Sequence, residues 1–268
     1  TEEVYGGEKI QIQINNLKRP THIVVATPGR LLDLIERGAV NLKHIKTLVL
    51  DEADEMLSMG FKEDLDKILK YTGNSKNTWL FSATMPAELD QLIKKYMSPK
   101  AIRVEPKNDL INKNITHQYI QVSRTNKDDV LINLLDQHQQ ERGIIFTRTK
   151  AGAQKLVKSL KDEGFSVEAL EGNMQQRDRE KVMRAFKKES LQFLVSTDVS
   201  ARGIDVNNLA FVIHYQLPES LAYYTHRSGR TARGGNSGIS IALILPHELP
   251  QLKEIEQKLQ ISFKEKAL

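Results

Sequence analysis

Thr47-Leu48-Val49-Leu50-Asp51-Glu52-Ala53-Asp54-Glu55 runs from a short apolar stretch straight into a cluster of acids. The apolar half predicts a buried strand at 46–50, which leaves the acids at its C-terminal end. In open α/β sheets that end is where ligands sit. An Asp-Glu pair there is how many nucleotide-hydrolysing enzymes hold magnesium and orient water. These nine residues leave a second reading open, in which Asp51 or Asp54 caps a helix through Met56 and Leu57 and the other acids favour its first turn.

Working outward, Thr21–Thr27 reads as another strand, and Pro28-Gly29-Arg30 opens a helix with Leu31, Leu32, Leu34 and Ile35 on one face. Upstream, Gly6-Gly7 marks a turn, a backbone that can also approach a phosphate closely. In Glu8–Leu17 the residues Ile10, Ile12 and Ile14 alternate but Asn15-Asn16 interrupts, so helix and strand both stay open. Downstream come a helix near 62–71, a strand over 78–81 ending in Ser82-Ala83-Thr84, and a helix over 87–97. Ala101–Val104 reads as a possible short strand. The polar, Asn-rich stretch 105–116 reads as a linker. Beyond it, strands over 117–122, 143–147, 165–170, 191–196, 209–215 and 238–245 are interspersed with helices over 127–138, 151–163, 176–188, 220–228 and 248–259. This alternation implies a mostly parallel sheet covered on both faces, and it occurs twice. The expectation is an α/β chain of two domains, 1–104 and 117–268, joined by 105–116.

Composition agrees with that size: 268 residues with 40% hydrophobic content can build two ordinary cores. A net charge of +5 permits an anionic partner without requiring one. The absence of Cys excludes disulfides and thiolate zinc sites, and the His residues show no HExxH spacing. No apolar run approaches the roughly 18 residues needed to cross a bilayer, and the N-terminus lacks a signal-peptide pattern. A soluble, cytoplasmic protein without a membrane partner is expected. The chain opens at Thr1 within what reads as mid-domain sequence, which suggests a fragment.

Several strands end alike, in HIVVAT, LVLDEAD, LFSAT, IIFTRT and FLVSTD. Any one such Ser, Thr or Asp reads as a helix cap. Five of them, spread over both halves, would line a common rim if the domains face each other, of the kind that holds a ligand at strand ends. The stretch Tyr223–Gly235, YYTHRSGRTARGG, adds Arg227, Arg230 and Arg233, with no Asp or Glu from Ser220 to His247. On a helix their spacing of three would gather them within about a 120° arc. Three guanidiniums without local counter-charge need an anion from elsewhere in the fold or from a ligand, and phosphate suits them. A solvated basic face is the plainer alternative. Gln176-Arg177-Asp178-Arg179, at a helix start, is a weaker basic patch.

In this order and spacing the set resembles the DEAD-box RNA helicases of superfamily 2, of bacterial type, over essentially the whole chain. The carrying residues are Asp51-Glu52-Ala53-Asp54, Thr27-Pro28-Gly29-Arg30, Ser82-Ala83-Thr84 and Ile145-Phe146-Thr147-Arg148-Thr149. Further matches are Gln176 with Arg179, Thr197-Asp198 with Ala201-Arg202-Gly203-Ile204-Asp205, and His226-Arg227-Ser228-Gly229-Arg230-Thr231-Ala232-Arg233.

The resemblance implies two RecA-like parallel-sheet domains in tandem, the first truncated, and an ATP-dependent RNA helicase. Asp51, with Glu52 beside it, would hold Mg²⁺ through water, and Glu52 would act as base or positioner for the attacking water. Asp54, Ser82, Thr84 and His226 belong to the same catalytic set, with Ser82 and Thr84 linking it to the interdomain contact. Arg230 and Arg233 would reach the γ-phosphate of ATP, and Asp205, with Gly203 near it, would bind the nucleotide at its ribose. ATP would close the domains on single-stranded RNA, held through its backbone by Gly7, Thr27, Arg30, Arg148, Gln176, Arg179 and Thr197, and a duplex would open locally. The family's adenine-reading Gln motif, its Gly-x-x-x-x-Gly-Lys loop and its Pro-Thr-Arg-Glu-Leu motif do not occur, so this chain alone is expected not to hydrolyse ATP. Ala232, where Gly is common, and Glu171, where His is frequent, are smaller departures. A non-catalytic RNA-binding module and a DNA-directed motor of superfamily 2 are the alternatives.

Overall fold

The computed structural model describes residues 1–267 apart from 74–75, 105–110, 173, 202–205, 207–208 and the Val199 side chain. The chain divides into two compact units, Thr1–Glu105 and Pro106–Leu268.

The first unit contains β1 (Glu2–Val4), α1 (Ile10–Leu17), β2 (Val24–Ala26), α2 (Pro28–Glu36), β3 (Thr47–Leu50), α3 (Ala53–Ser58), α4 (Lys62–Tyr71), β4 (Asn77–Leu80) and α5 (Ala87–Tyr96). Its strands form two parallel pairs, β1 with β2 and β3 with β4. The undecided segment is helix α1. Ile10, Gln13, Ile14 and Leu17 share one helical face, Gln13 is buried, and Ile12 points outward, so the apparent alternation of isoleucines was incidental. The short strand considered over Ala101–Val104 does not form; the segment is irregular, and Ile102 and Val104 find no apolar cover.

Helices cover this unit on one side. Leu50 packs with Leu65, Leu69 and Leu92, and Leu32 packs with Leu42 and Ile68. On the other side Ile23, Val25, Val49, Trp79 and Phe81 are 52–59% exposed. A parallel sheet normally buries both faces, which makes this the less completely packed unit.

The second unit contains β5 (Ile115–Gln121), α6 (Lys127–Asp136), β6 (Gly143–Phe146), α7 (Lys150–Asp162), β7 (Val167–Leu170), α8 (Gln176–Lys187), β8 (Phe193–Ser196), α9 (Asp198–Ala201), β9 (Phe211–His214), α10 (Leu221–Ser228), β10 (Gly238–Ile244), α11 (Leu249–Leu259) and β11 (Phe263–Glu265). Seven strands form one parallel sheet in the order β11-β5-β10-β9-β6-β8-β7. Every residue of β6, β8 and β9 is buried. Side chains of β6 serve opposite faces: Ile145 joins Leu131, Leu134 and Val195 in one core, while Ile144 and Phe146 join Phe186 and Leu194 in the other. Gly143 is obligatory at the start of β6, because a Cβ there would collide with the Phe211 ring. Within the stretch expected as a linker, Ile111 and Ile115 are already buried in a third cluster with Tyr224 and Leu252; residues 105–110 lie outside the described residues.

From β6 the chain moves outward to β7 and returns at β8, whereas β9 and β10 lie on the other side of β6. Such a reversal opens a crevice at the strands' C-terminal ends. Arg148 follows β6 into it, and its backbone N–H is held by Gln216 Oε1 at 2.8 Å just beyond β9.

Candidate functional site

In the first unit the acids of the opening stretch do not cap their helix through side chains. Glu52 is the N-cap residue of α3 and makes no side-chain cap hydrogen bond. Asp51 Oδ1 instead accepts from the Glu52 N–H at 2.9 Å, and both side chains are exposed. Asp54 turns inward and is only 8% exposed. Its Oδ2 accepts from Thr84 N at 2.9 Å and Thr84 Oγ1 at 2.6 Å, and its own N–H donates to Ser82 Oγ at 3.1 Å. Ser82 Oγ donates in turn to Thr84 O at 2.7 Å. Burial works to raise the Asp54 pKa, yet the hydrogen bonds from Thr84 and Ser82 outweigh it and hold the carboxyl below its usual range.

This lock joins the end of β3 to the end of β4 and fixes the intervening residue, Glu52, at φ 51° and ψ 47°. A left-handed non-glycine residue costs on the order of 1–2 kcal/mol, and such strain gathers at functional positions. No group of three or more His, Asp or Glu suited to a metal occurs among the described residues. Two exposed carboxylates nonetheless fit Mg²⁺, which keeps several waters and takes one or two carboxylates beside substrate phosphates.

Gly7, Thr27 and Arg30 are brought together by the pairing of β1 with β2, where Val4 faces Ala26. Gly7 sits at φ 90°, in a turn that a side chain would strain. Thr27 is the N-cap residue of α2 without a side-chain cap bond. Arg30 braces the same turn: both terminal nitrogens donate to Glu8 O at 3.1 Å, and Nη1 also reaches Gln13 Oε1 at 2.8 Å. Gln13, 2% exposed, completes the brace by donating to Tyr5 O and Glu8 Oε2, each at 3.0 Å. Sequence reasoning missed Gln13 because a Gln amid isoleucines carries no pattern of its own.

In the second unit Arg148 and Thr197 line one groove of about 450 Å³ at the ends of β6 and β8, together with Lys150, Asp198, Glu219 and Tyr223. Arg148 Nε is fixed by Leu217 O at 2.8 Å. Arg179 stands behind the groove, donating to Ser200 O at 2.7 Å, and burial lowers its pKa. Gln176 opens α8 and bonds Glu180, and it does not line the groove. Thr149, by contrast, is a simple cap, accepting from Gly152 N at 3.1 Å.

The three arginines do not share a helical face. Helix α10 ends at Ser228, so Arg227 lies in its last turn, Arg230 follows it, and Arg233 begins a separate 3₁₀ turn. Ala232 between them is left-handed at φ 56°, which explains why glycine would be at ease there. Arg227 is 1% exposed and its anion comes from the fold: Nε and Nη2 reach Asp198 Oδ1 and Oδ2 at 2.5 and 2.7 Å, and Nη1 donates to Gln216 O at 2.7 Å. Arg230 and Arg233 keep partial exposure, with Nε on His226 O at 3.2 Å and Gly229 O at 3.1 Å respectively. His226 is half-buried on α10. Gly203 and Asp205 lie outside the described residues.

Residues 1–92 match the DEAD/DEAH box helicase family, and residues 126–235 match the helicase conserved C-terminal domain. The chain is 43% identical over 262 residues to the probable ATP-dependent RNA helicase MJ0669 of Methanocaldococcus jannaschii, covering 98% of this chain and 70% of that one. It belongs to the DEAD-box RNA helicase family. The DEAD-box ATP-dependent RNA helicase CshA of Geobacillus kaustophilus is 40% identical over 255 residues, 95% of this chain and 54% of that protein. This DEAD-box chain thus spans about half the length of several curated relatives it matches. Among solved structures, S. cerevisiae Dbp5 bound to RNA and ADP BeF3 superposes with a TM-score of 0.86 at 29% identity, covering 99% of this chain and 69% of that one. The fold is therefore the α/β one with parallel sheets that the strand pattern implied, and its RecA-like form is the one the resemblance implied.

Proposed function

We propose that this chain is the part of an ATP-dependent RNA helicase that positions the hydrolytic carboxylates and grips single-stranded RNA by its backbone. The observation that carries this reading is the lock of Asp54 on Thr84 and Ser82, which presents Asp51 and Glu52 to solvent at the end of β3 with Glu52 held in a strained conformation. RNA binding alone requires no such device. Asp51 would take Mg²⁺, aided by Glu52, and Glu52 would orient or deprotonate the attacking water. The metal would supply charge neutralisation for the phosphates. Arg230 and Arg233, with His226 beside them, would act on the γ-phosphate, and Gly203 and Asp205 would contact the nucleotide. Gly7, Thr27 and Arg30 in one unit, and Arg148 and Thr197 in the other, would hold the RNA, Arg30 chiefly by bracing the Gly7 turn and Arg179 by bracing Ser200 behind the groove, while Gln176, outside the groove at the start of α8, would meet the strand beyond it. ATP-driven closure of the two units would open a duplex locally, in the cytoplasm.

The sequence contains no Gly-x-x-x-x-Gly-Lys loop to cradle the β- and γ-phosphates. The 268-residue chain should therefore bind RNA without turning over ATP. In the full-length protein, RNA-stimulated ATPase should be abolished by Glu52→Gln and lowered on the order of 10³-fold by Arg230→Ala or Arg233→Ala, with nucleotide binding largely kept. ATP hydrolysis by the isolated chain, or undiminished turnover in the Glu52→Gln protein, would refute this assignment.

A further inference from the structure

The groove at the ends of β6 and β8 contains a charge that a phosphate site does not call for. Two carboxylates line it, Asp198 and Glu219. Asp198 is committed, with both oxygens on the Arg227 guanidinium. Glu219 is exposed and makes no hydrogen bond or ion pair with any described residue. It lies close to the groove's cation: it follows Leu217 by two residues, and the Leu217 carbonyl is where Arg148 Nε is anchored. Glu219 therefore stands in the same wall as the Arg148 and Lys150 cations, where a carboxylate weakens the pull on a polyanion.

Such a group is useful only if the bound strand offers it a hydrogen to accept. Along a sugar-phosphate backbone the phosphates are acceptors, and the sole donor within each nucleotide's backbone is the ribose 2′-hydroxyl, which DNA lacks. We infer that Glu219 accepts a hydrogen bond from a 2′-hydroxyl of the strand held in this groove and is a specificity residue for RNA over DNA. The inference rests on the groove being an RNA site, as proposed above. A carboxylate here repels the phosphates of either strand, and only RNA, through its 2′-hydroxyl, offers a hydrogen bond that offsets the repulsion.

The test uses the 268-residue chain and fluorescence anisotropy at one fixed salt concentration, with a single-stranded oligouridylate, its 2′-deoxy counterpart and its 2′-O-methyl counterpart. Glu219→Ala should weaken the RNA about tenfold, the size expected for one hydrogen bond to a charged group. The same variant should bind the deoxy and 2′-O-methyl strands as well as or better than the parent does. Glu219→Gln, which keeps an acceptor oxygen, should retain part of the preference. A merely structural Glu219 would move all three affinities together, and that result overturns the inference, as does a parent chain that binds RNA and deoxy strands alike. Arg148→Ala should weaken all three probes similarly. If it changes none of them, the groove is not the RNA site and the inference falls with that reading; if it weakens all while Glu219→Ala shifts none, only the inference falls.

Discussion

Replacing Arg227 should unfold the second unit far more readily than replacing either neighbouring arginine. Its guanidinium makes three charge-assisted hydrogen bonds, two of them bidentate to Asp198, and lies 5.0 Å from the Phe146 ring centroid. Arg227→Ala leaves the Asp198 carboxylate without its partner in the interior and strips a donor from Gln216 O. Breaking a buried ion pair on one side costs about 3–5 kcal/mol. The Asp198 side chain is 18% exposed, so water recovers part of that and the lower end is expected. Urea unfolding followed by circular dichroism should show Arg227→Ala losing about 3 kcal/mol, against less than about 1 kcal/mol for Arg230→Ala. Asp198→Ala combined with Arg227→Ala should cost clearly less than the two single losses summed, by on the order of 2 kcal/mol. Additive losses, or equal losses for Arg227→Ala and Arg230→Ala, would show that the pair with Asp198 contributes nothing special.

Three further outcomes are expected. Burial pulls His117 down to about 4 and His214 well below its ordinary 6.5, so the unfolded chain binds protons that the folded one refuses. Stability is then full above pH 6.5 and falls as the pH drops toward 4, with His117 alone removing about 2 kcal/mol by pH 5; urea midpoints at pH 7 and 5, with and without His117→Gln, check this, and an unchanged pH slope in the variant counts against it. Glu52→Gly relieves the left-handed backbone and should stabilise the first unit by about 0.5–1 kcal/mol, measured by thermal unfolding, whereas a loss of more than that would mean the Glu52 side chain holds the fold. Trp79, the single tryptophan, is 58% exposed and should emit as a solvated indole, open to acrylamide quenching, while amides of residues 1–104 exchange faster than those of 117–267; a shielded indole would mean the apolar face is covered.

The strand and helix alternation was legible because fully buried parallel strands write themselves as short apolar runs, and β6, β8 and β9 are such runs. The three-residue strands β1 and β11 were not, since so short an edge strand shows no period. The α1 segment stayed undecided because Ile10 and Ile14 satisfy both a period of two and a helical spacing, and only the burial of Gln13 decides between them. The acid-free run from Ser220 to His247 announced that its arginines needed an anion. It could not say that Arg227 takes Asp198, because that choice depends on β8 and β9 flanking β6. The backbone angle of Glu52 and the solitude of Glu219 have no sequence signature at all.

The sheet of the second unit has a consequence for how the protein is made. Strand β5, the first to leave the ribosome, lies between β10 and β11, the last two: Ile115 must wait for Gly238 and His117 for Phe263. At roughly 5–20 residues per second that delay is on the order of ten seconds. Until then Ile115 and Ile120 remain without the strands that will flank them, a nascent stretch open to chaperones and to neighbouring chains. Premature termination even a few codons before β11 would leave β5 as a bare edge.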